Sequence, residues 1–165
     1  MNYDIRKTLA WHETLEIHEL VGFQSIGLMK LKMAFKKASD NELKVIYRKS
    51  IKDMEKNLNE LIRYYPSAPI PPGRNEPVGD DIAFYAGDLL VLLKTAVRNY
   101  AVAITETATP ELRKVLVNQM IRVINGHESI YLYMYRKGYY PSYDFGQLLQ
   151  NDLNNAQKAL NMKYE

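Results

Sequence analysis

His12, His18 and His127 are the only imidazoles in the chain, and there is no cysteine. A carboxylate–histidine metal site is therefore the sharpest chemistry these residues could carry. A di-metal centre in a helical bundle takes a Glu from each of two helices and a Glu-x-x-His from each of two others, all facing inward. The carboxylates bridge and neutralise the cations, and each imidazole adds a neutral nitrogen. Three positions before the histidines stand Leu9, Leu15 and Ile124, so no Glu-x-x-His exists. What remains is partial. His18 and His127 lie on apolar stripes, each precedes a glutamate (Glu19, Glu128), and His12, Glu16 and Glu19 share one helix face. Two readings stay open: an incomplete or single-metal site on His18, His127, Glu19 and Glu128, or interior histidines each held by a carboxylate, a tyrosine or a carbonyl. With so few ligands, neither a metal nor any other cofactor is expected.

Other chemistries have less support. The chain has no G-x-S-x-G elbow, no G-x-G-x-x-G and no Walker sequence, and its eight glycines are scattered. No catalytic residue is expected, and the chain reads as a non-enzyme.

Two constellations suit contact rather than catalysis. Lys44, Arg48, Lys52 and Lys56 recur every four residues, with Lys49 nearby. That spacing makes a basic stripe along one helix face, either plainly solvated or able to meet an acidic partner. Thirteen residues are tyrosine, and Tyr131, Tyr133, Tyr135, Tyr139, Tyr140 and Tyr143 crowd one short segment. Side chains at 131, 133 and 135 cannot all face one way on a helix. The segment is thus a candidate assembly surface, because tyrosine offers large amphipathic contact area. Packing against a tail helix is the competing account.

The elements that must position these groups are helices. Five of seven prolines fall within residues 66–79, and the long segments around them repeat apolar residues every three or four positions. Helices are expected at about 9–38, 40–65, 80–107 and 110–137, with a tail helix at about 145–162. Trp11, Leu15 and His18 open the inward stripe of the first helix; Leu43, Tyr47 and Ile51 that of the second. Ile82, Ala86 and Leu89 open the stripe of the third, and Leu112, Leu116 and Met120 that of the fourth. Leu149, Leu153, Ala156 and Leu160 define the tail helix. Ser39 and Glu42 suggest a capping box, Thr109-Pro110 a helix start, and Gly138 a left-handed helix stop. The tail helix carries several asparagines and should depend on docking.

The fold class read from this pattern is all-α, a single domain over residues 1–165. A helix of about 27 residues is about 40 Å long. Fourteen residues of Pro-rich chain reach about 43 Å. The 66–79 linker can therefore cross the whole bundle, between two hairpins, which is the ferritin-like connectivity. A plain up-down bundle is the alternative. The chain has 165 residues, 47% hydrophobic and 25% charged, with a net charge of +3. It is long enough for a real core, too apolar for wholesale disorder and too weakly basic to indicate nucleic-acid binding. No run is long enough to span a membrane, and the N-terminus is charged with no apolar core, so no signal peptide is expected. The surplus apolar surface of the first helix, with the tyrosine run, predicts a homo-oligomer, most simply a dimer.

Two segments carry a resemblance. AWHETLEIHELVGFQSIGLMKLK in the first helix and INGHESIYLYMYRKGYYPSYD at the end of the fourth resemble the Coat F family of spore coat proteins. His127 followed by Arg136-Lys137-Gly138-Tyr139-Tyr140-Pro141 is the most specific part, and the likeness extends over about residues 8–145. The resemblance implies a ferritin-like helical bundle, made in the cytoplasm and assembled into the spore coat with other coat proteins. It implies no established reaction. A ferritin-like metal-binding protein or oxidoreductase with an incomplete His/Glu site is the alternative, and a soluble adaptor using the basic stripe is a third possibility.

Overall fold

The computed structural model describes residues 8–73 and 81–165, and among them every regular element is helical. The elements are α1 (Trp11–Lys37), α2 (Asn41–Ile62), a 3₁₀ turn (Tyr65–Ser67), α3 (Asp81–Glu106), α4 (Pro110–Arg136) and α5 (Phe145–Asn161). None of these helices is long and apolar enough to cross a membrane.

Local chemistry sets the boundaries. Glu13 reaches back to the Ala10 N–H (2.7 Å), satisfying an orphan donor at the start of α1. Asp40, not Ser39, caps α2: its carboxylate accepts from Leu43 N at 2.7 Å. Asp leads over Ser in neither propensity nor reach here; it simply occupies the residue before the first helical turn. α2 ends at Ile62, three residues before the expected Tyr65, because the chain turns into the 3₁₀ helix with Pro66 inside it. Pro110 occupies the first turn of α4, but Thr109 makes no side-chain cap. Asp144 caps α5 through Gln147 N at 2.9 Å.

α4 ends in a Schellman motif. Gly138 takes φ +73°, the left-handed region that glycine enters without a Cβ clash. Gly138 N donates to Tyr135 O (3.0 Å) and Tyr139 N to Met134 O (2.9 Å), closing two orphan carbonyls.

The described chain forms two compact units. In the first, α1 and α2 make an antiparallel hairpin and α5 lies along α1 in the same direction. The pairs Trp11–Phe145, His18–Asp152, Lys32–Ala159 and Phe35–Tyr164 follow one another in order along both. Buried α1 residues are Thr14, His18, Val21, Ser25, Leu28, Met29, Lys32 and Phe35. All but Met29 follow a 4-3-4-3 spacing, the seam of a knobs-into-holes contact. Ile51, Leu58, Leu148, Leu149, Ala156 and Ala159 complete the core. Trp11, Leu15 and Leu43, expected inward, are exposed. The seam passes through Thr14 and His18 instead, so Trp11 and Leu15 fall to its side.

The described part of the 66–79 linker, up to Gly73, is not a free strand along a bundle. Leu9 N donates to Ser67 O (2.7 Å) and Gly73 N to Gly146 O (2.8 Å), fastening it to the first unit. The remainder of the linker lies outside the described residues.

The second unit is the α3–α4 hairpin, joined through residues 107–109. Leu93 packs where Gly126 lacks a side chain. Its fully buried residues are few: Ala86 and Gly87 of α3 and Met134 of α4. Ile82, Leu89 and Leu112, expected in the core, are exposed. A pair of helices has one shared seam, so most of each apolar stripe has nothing within the hairpin to bury it.

Candidate functional site

In the first unit the polar groups converge on Asp152. Its Oδ2 accepts from the Tyr65 hydroxyl (2.7 Å) and sits 2.7 Å from His18 Nδ1. All three side chains are buried. Burial pushes the Asp152 carboxyl up, while its contacts with His18 and Tyr65 pull it back. Burial and the neighbouring carboxylate together push the Tyr65 phenol up. One oxygen thereby ties α1, the 3₁₀ turn and α5 together. It has the composition of a catalytic relay, but it is closed to solvent and faces no cavity among those described. Its chemistry is that of a satisfied interior network.

A second buried polar anchor lies further along the same seam. Lys32 Nζ donates to Ala159 O (2.8 Å) and Leu160 O (3.0 Å), carbonyls of the last turn of α5, and pairs with Glu55 Oε1 at 2.7 Å. A cation at a helix C-terminus meets the negative end of the dipole. Here it also satisfies carbonyls that have no partner within the helix.

The residues of the alternative metal reading fall in different units. His18 belongs to the first unit and is engaged by Asp152; His127 belongs to the second. Glu19 and Glu128 are exposed. No group of three or more His, Asp or Glu among the described residues is placed to hold a metal ion.

His127 lines an open cavity of about 480 Å³ within the α3–α4 hairpin. Leu90, Val97 and Ile124 supply its apolar wall, and Lys94, Arg98, Tyr131 and Tyr140 its polar rim. This is a groove with cationic edges.

The six tyrosines divide between faces, as their spacing requires. Tyr131 stacks on Tyr135 (6.3 Å between centroids) and meets Tyr140 edge-on (6.0 Å). Tyr133 meets Tyr139 (6.4 Å) on the other face, a contact across the Schellman turn. Tyr143 is 86% exposed and Tyr135 42%.

The basic stripe is partly compensated. Arg48 pairs with Glu165 (2.7 Å) and lies over the Phe35 ring, as Lys44 does. Lys56 is 3.9 Å from Glu60, and Lys52 is exposed. Lys44 and Arg48 thus cover the end of the α1 seam at Phe35.

Asp152, Tyr65 and Lys32 are the groups that residue types alone did not single out for a polar role. For Asp152 and Lys32 the available signal was register: each sits on a buried stripe at a three- or four-residue step from apolar neighbours.

Comparison with known proteins bears on the second unit. The family model described as the Coat F domain matches residues 83–143, which run from α3 through α4 to the tyrosine turn. The matched stretch holds the second of the two resembling segments; the first, in α1, lies outside it. Two relatives come from Bacillus subtilis (strain 168). Spore coat protein F-like protein YraD is 36% identical over 77 residues, 47% of this chain and 78% of the relative. Spore coat protein F-like protein YraG is 33% identical over 76 residues, 44% of this chain and 94% of the relative. No solved structure matches.

Proposed function

The chain belongs to the Coat F family, and on that premise we propose that it is a structural component of the bacterial spore coat, acting by protein–protein assembly and without catalysis. The observation that carries this reading is where the family match falls. Residues 83–143 coincide with a helical hairpin whose surface is apolar stripes and tyrosines. Such a surface suits burial against other proteins. The buried His18, Tyr65, Lys32 and Asp152 of the first unit, by contrast, hold α5 in place.

The partners in this reading are other coat proteins and further copies of the chain. The exposed Tyr135 and Tyr143 are the members of the tyrosine segment best placed for them. The ferritin-like arrangement of the helices belongs to the same proposal and adds no chemistry of its own.

The test is fractionation of mature spores. The chain should appear in the alkali- or detergent-extracted coat fraction and be depleted from the spore interior. Recovery only from the soluble interior would overturn the coat assignment. Stoichiometric iron or manganese in the purified protein, lost in His18→Ala or His127→Ala, would overturn the non-catalytic part in favour of metal binding.

A further inference from the structure

The groove of the α3–α4 hairpin is built by one unit alone, since every residue lining it belongs to the second. Leu90, Val97 and Ile124 make an apolar floor, and Lys94, Arg98 and His127 are its basic groups. No aspartate or glutamate is among the lining residues. Its volume of about 480 Å³ falls within the ~300–1,000 Å³ that small-molecule sites occupy. Apolar walls with a few charged groups of one sign are also the composition of such sites.

The charges sit at one end of the groove. Leu93 packs where Gly126 lacks a side chain, and this crossing sets the register of the hairpin. From it, Arg98 lies five residues along α3 and Tyr131 five along α4, in opposite directions, so the two ends are about 15 Å apart. At the far end Tyr140 meets Tyr131 edge-on, 6.0 Å between centroids. Lys94 and Arg98 stand four residues apart on α3, a spacing at which like charges repel. Lys94 is already engaged. The side chain of Arg98 has no ion-pair or hydrogen-bond partner among the described residues. One cationic end, an apolar floor and an aromatic far end match a molecule with one anionic head and an apolar body.

We propose that the α3–α4 groove binds a small amphiphilic carboxylate, such as a medium-chain fatty acid, with its head on Arg98 and its chain running over Val97, Ile124 and Leu90 toward Tyr131 and Tyr140. The planar guanidinium presents two parallel N–H donors to the carboxylate. The negative head offsets the repulsion between Lys94 and Arg98. The chain passes His127, next to the Leu93–Gly126 crossing. Extended decanoate fits within the length of the groove. The site goes beyond the assembly reading and does not rest on it.

Calorimetric titration of the full-length protein with decanoate should show saturable binding of one molecule per chain. Acetate has the head without the chain, and decyltrimethylammonium the chain without the negative charge; each should bind at least about tenfold more weakly. Arg98 is exposed, so Arg98→Gln should fold as the parent does and weaken decanoate about five- to tenfold. Arg122→Gln removes an exposed cation of α4 outside the groove and should change binding by less than about twofold. Diethyl pyrocarbonate locates the ligand: decanoate should slow modification of His127 and leave His12, in the first unit, at its unliganded rate. The proposal is overturned by a parent protein that binds no decanoate, or that binds decyltrimethylammonium equally well. It is also overturned by equal losses in Arg98→Gln and Arg122→Gln, or by His127 modified at the same rate with and without decanoate. The coat assignment fails separately: absence from the coat fraction leaves this site intact, and absence of decanoate binding leaves that assignment intact.

Discussion

His18 Nδ1 and Asp152 Oδ2 meet at 2.7 Å across 134 positions of sequence, and Tyr65 donates its hydroxyl to the same oxygen. This one carboxylate ties α5 to α1 and to the 3₁₀ turn. Asp152→Ala leaves a buried imidazole and phenol without their acceptor, and should cost about 2–4 kcal/mol. Asp152→Asn keeps an acceptor oxygen and should cost less. Urea unfolding followed by circular dichroism gives the totals. Hydrogen exchange should show α5 amides losing protection first in the Ala variant; uniform loss across α1, α2 and α5 would contradict the anchoring role.

The same cluster fixes a pH dependence. The Tyr65 phenol is held protonated by burial and by Asp152, so its folded value lies above its unfolded value of 10.0. A raised value means the contribution is complete below pH 10 and is lost as pH climbs past it, by up to about 1.4 kcal/mol per pH unit. Tyr65→Phe lacks that proton. The stability gap between parent and variant should be constant from pH 7 to 9 and shrink between pH 10 and 11. Asp152 is also raised from its ordinary 3.8, so its own share is complete below pH 3.8 and falls as pH rises through its folded value. Acid therefore does not release α5 through Asp152.

The helices were legible because apolar periodicity and Pro/Gly punctuation are local signals, and Pro110 and Gly138 mark the start and stop of α4. The buried face of α1 was harder. Four of the residues on its seam, Thr14, His18, Ser25 and Lys32, are polar. A stripe traced through apolar residues drifts to Trp11 and Leu15, which are exposed. For His18 the sequence left a carboxylate, a tyrosine or a carbonyl open as partner and could not name Asp152. That position depends on α5 lying parallel to α1, a tertiary fact that no local spacing encodes.

Lys32 offers a second test of the α1–α5 seam. Its side chain is 1% exposed and holds two terminal carbonyls of α5 as well as Glu55, whose side chain is 28% exposed. Lys32→Ala removes all three contacts and should cost about 2–4 kcal/mol. Glu55→Gln leaves the carbonyl contacts in place and a group that water reaches, so it should cost about 1 kcal/mol or less. Equal losses in the two variants would mean the ion pair, and not the helix cap, dominates.

Gly138 tests the turn that presents the tyrosines. Its φ of +73° admits no side chain without strain, although no neighbouring atom would obstruct a Cβ. Gly138→Ala should therefore cost about 1–2 kcal/mol through backbone strain alone. The Tyr133–Tyr139 contact across the turn should loosen with it, visible as reduced near-UV dichroism. An Ala variant with unchanged melting and unchanged near-UV signal would show that the left-handed cap is dispensable.

The tyrosines themselves should separate by role. Tyr139 meets Tyr133 and follows the Schellman glycine, so Tyr139→Ser should lower hairpin stability by about 1 kcal/mol. Tyr143 is 86% exposed, and Tyr143→Ser should leave stability within about 0.5 kcal/mol of the parent. Its effect should appear in cross-linking instead. Peroxidase with hydrogen peroxide removes one hydrogen atom from each of two phenols, and the radicals couple into dityrosine while the peroxide is reduced to water. Ring accessibility governs that coupling, so Tyr143→Ser should remove much of the dityrosine fluorescence and Tyr139→Ser little of it. If both variants cross-link as the parent does, the outward contact of this protein lies away from the tyrosine turn and on the helix faces.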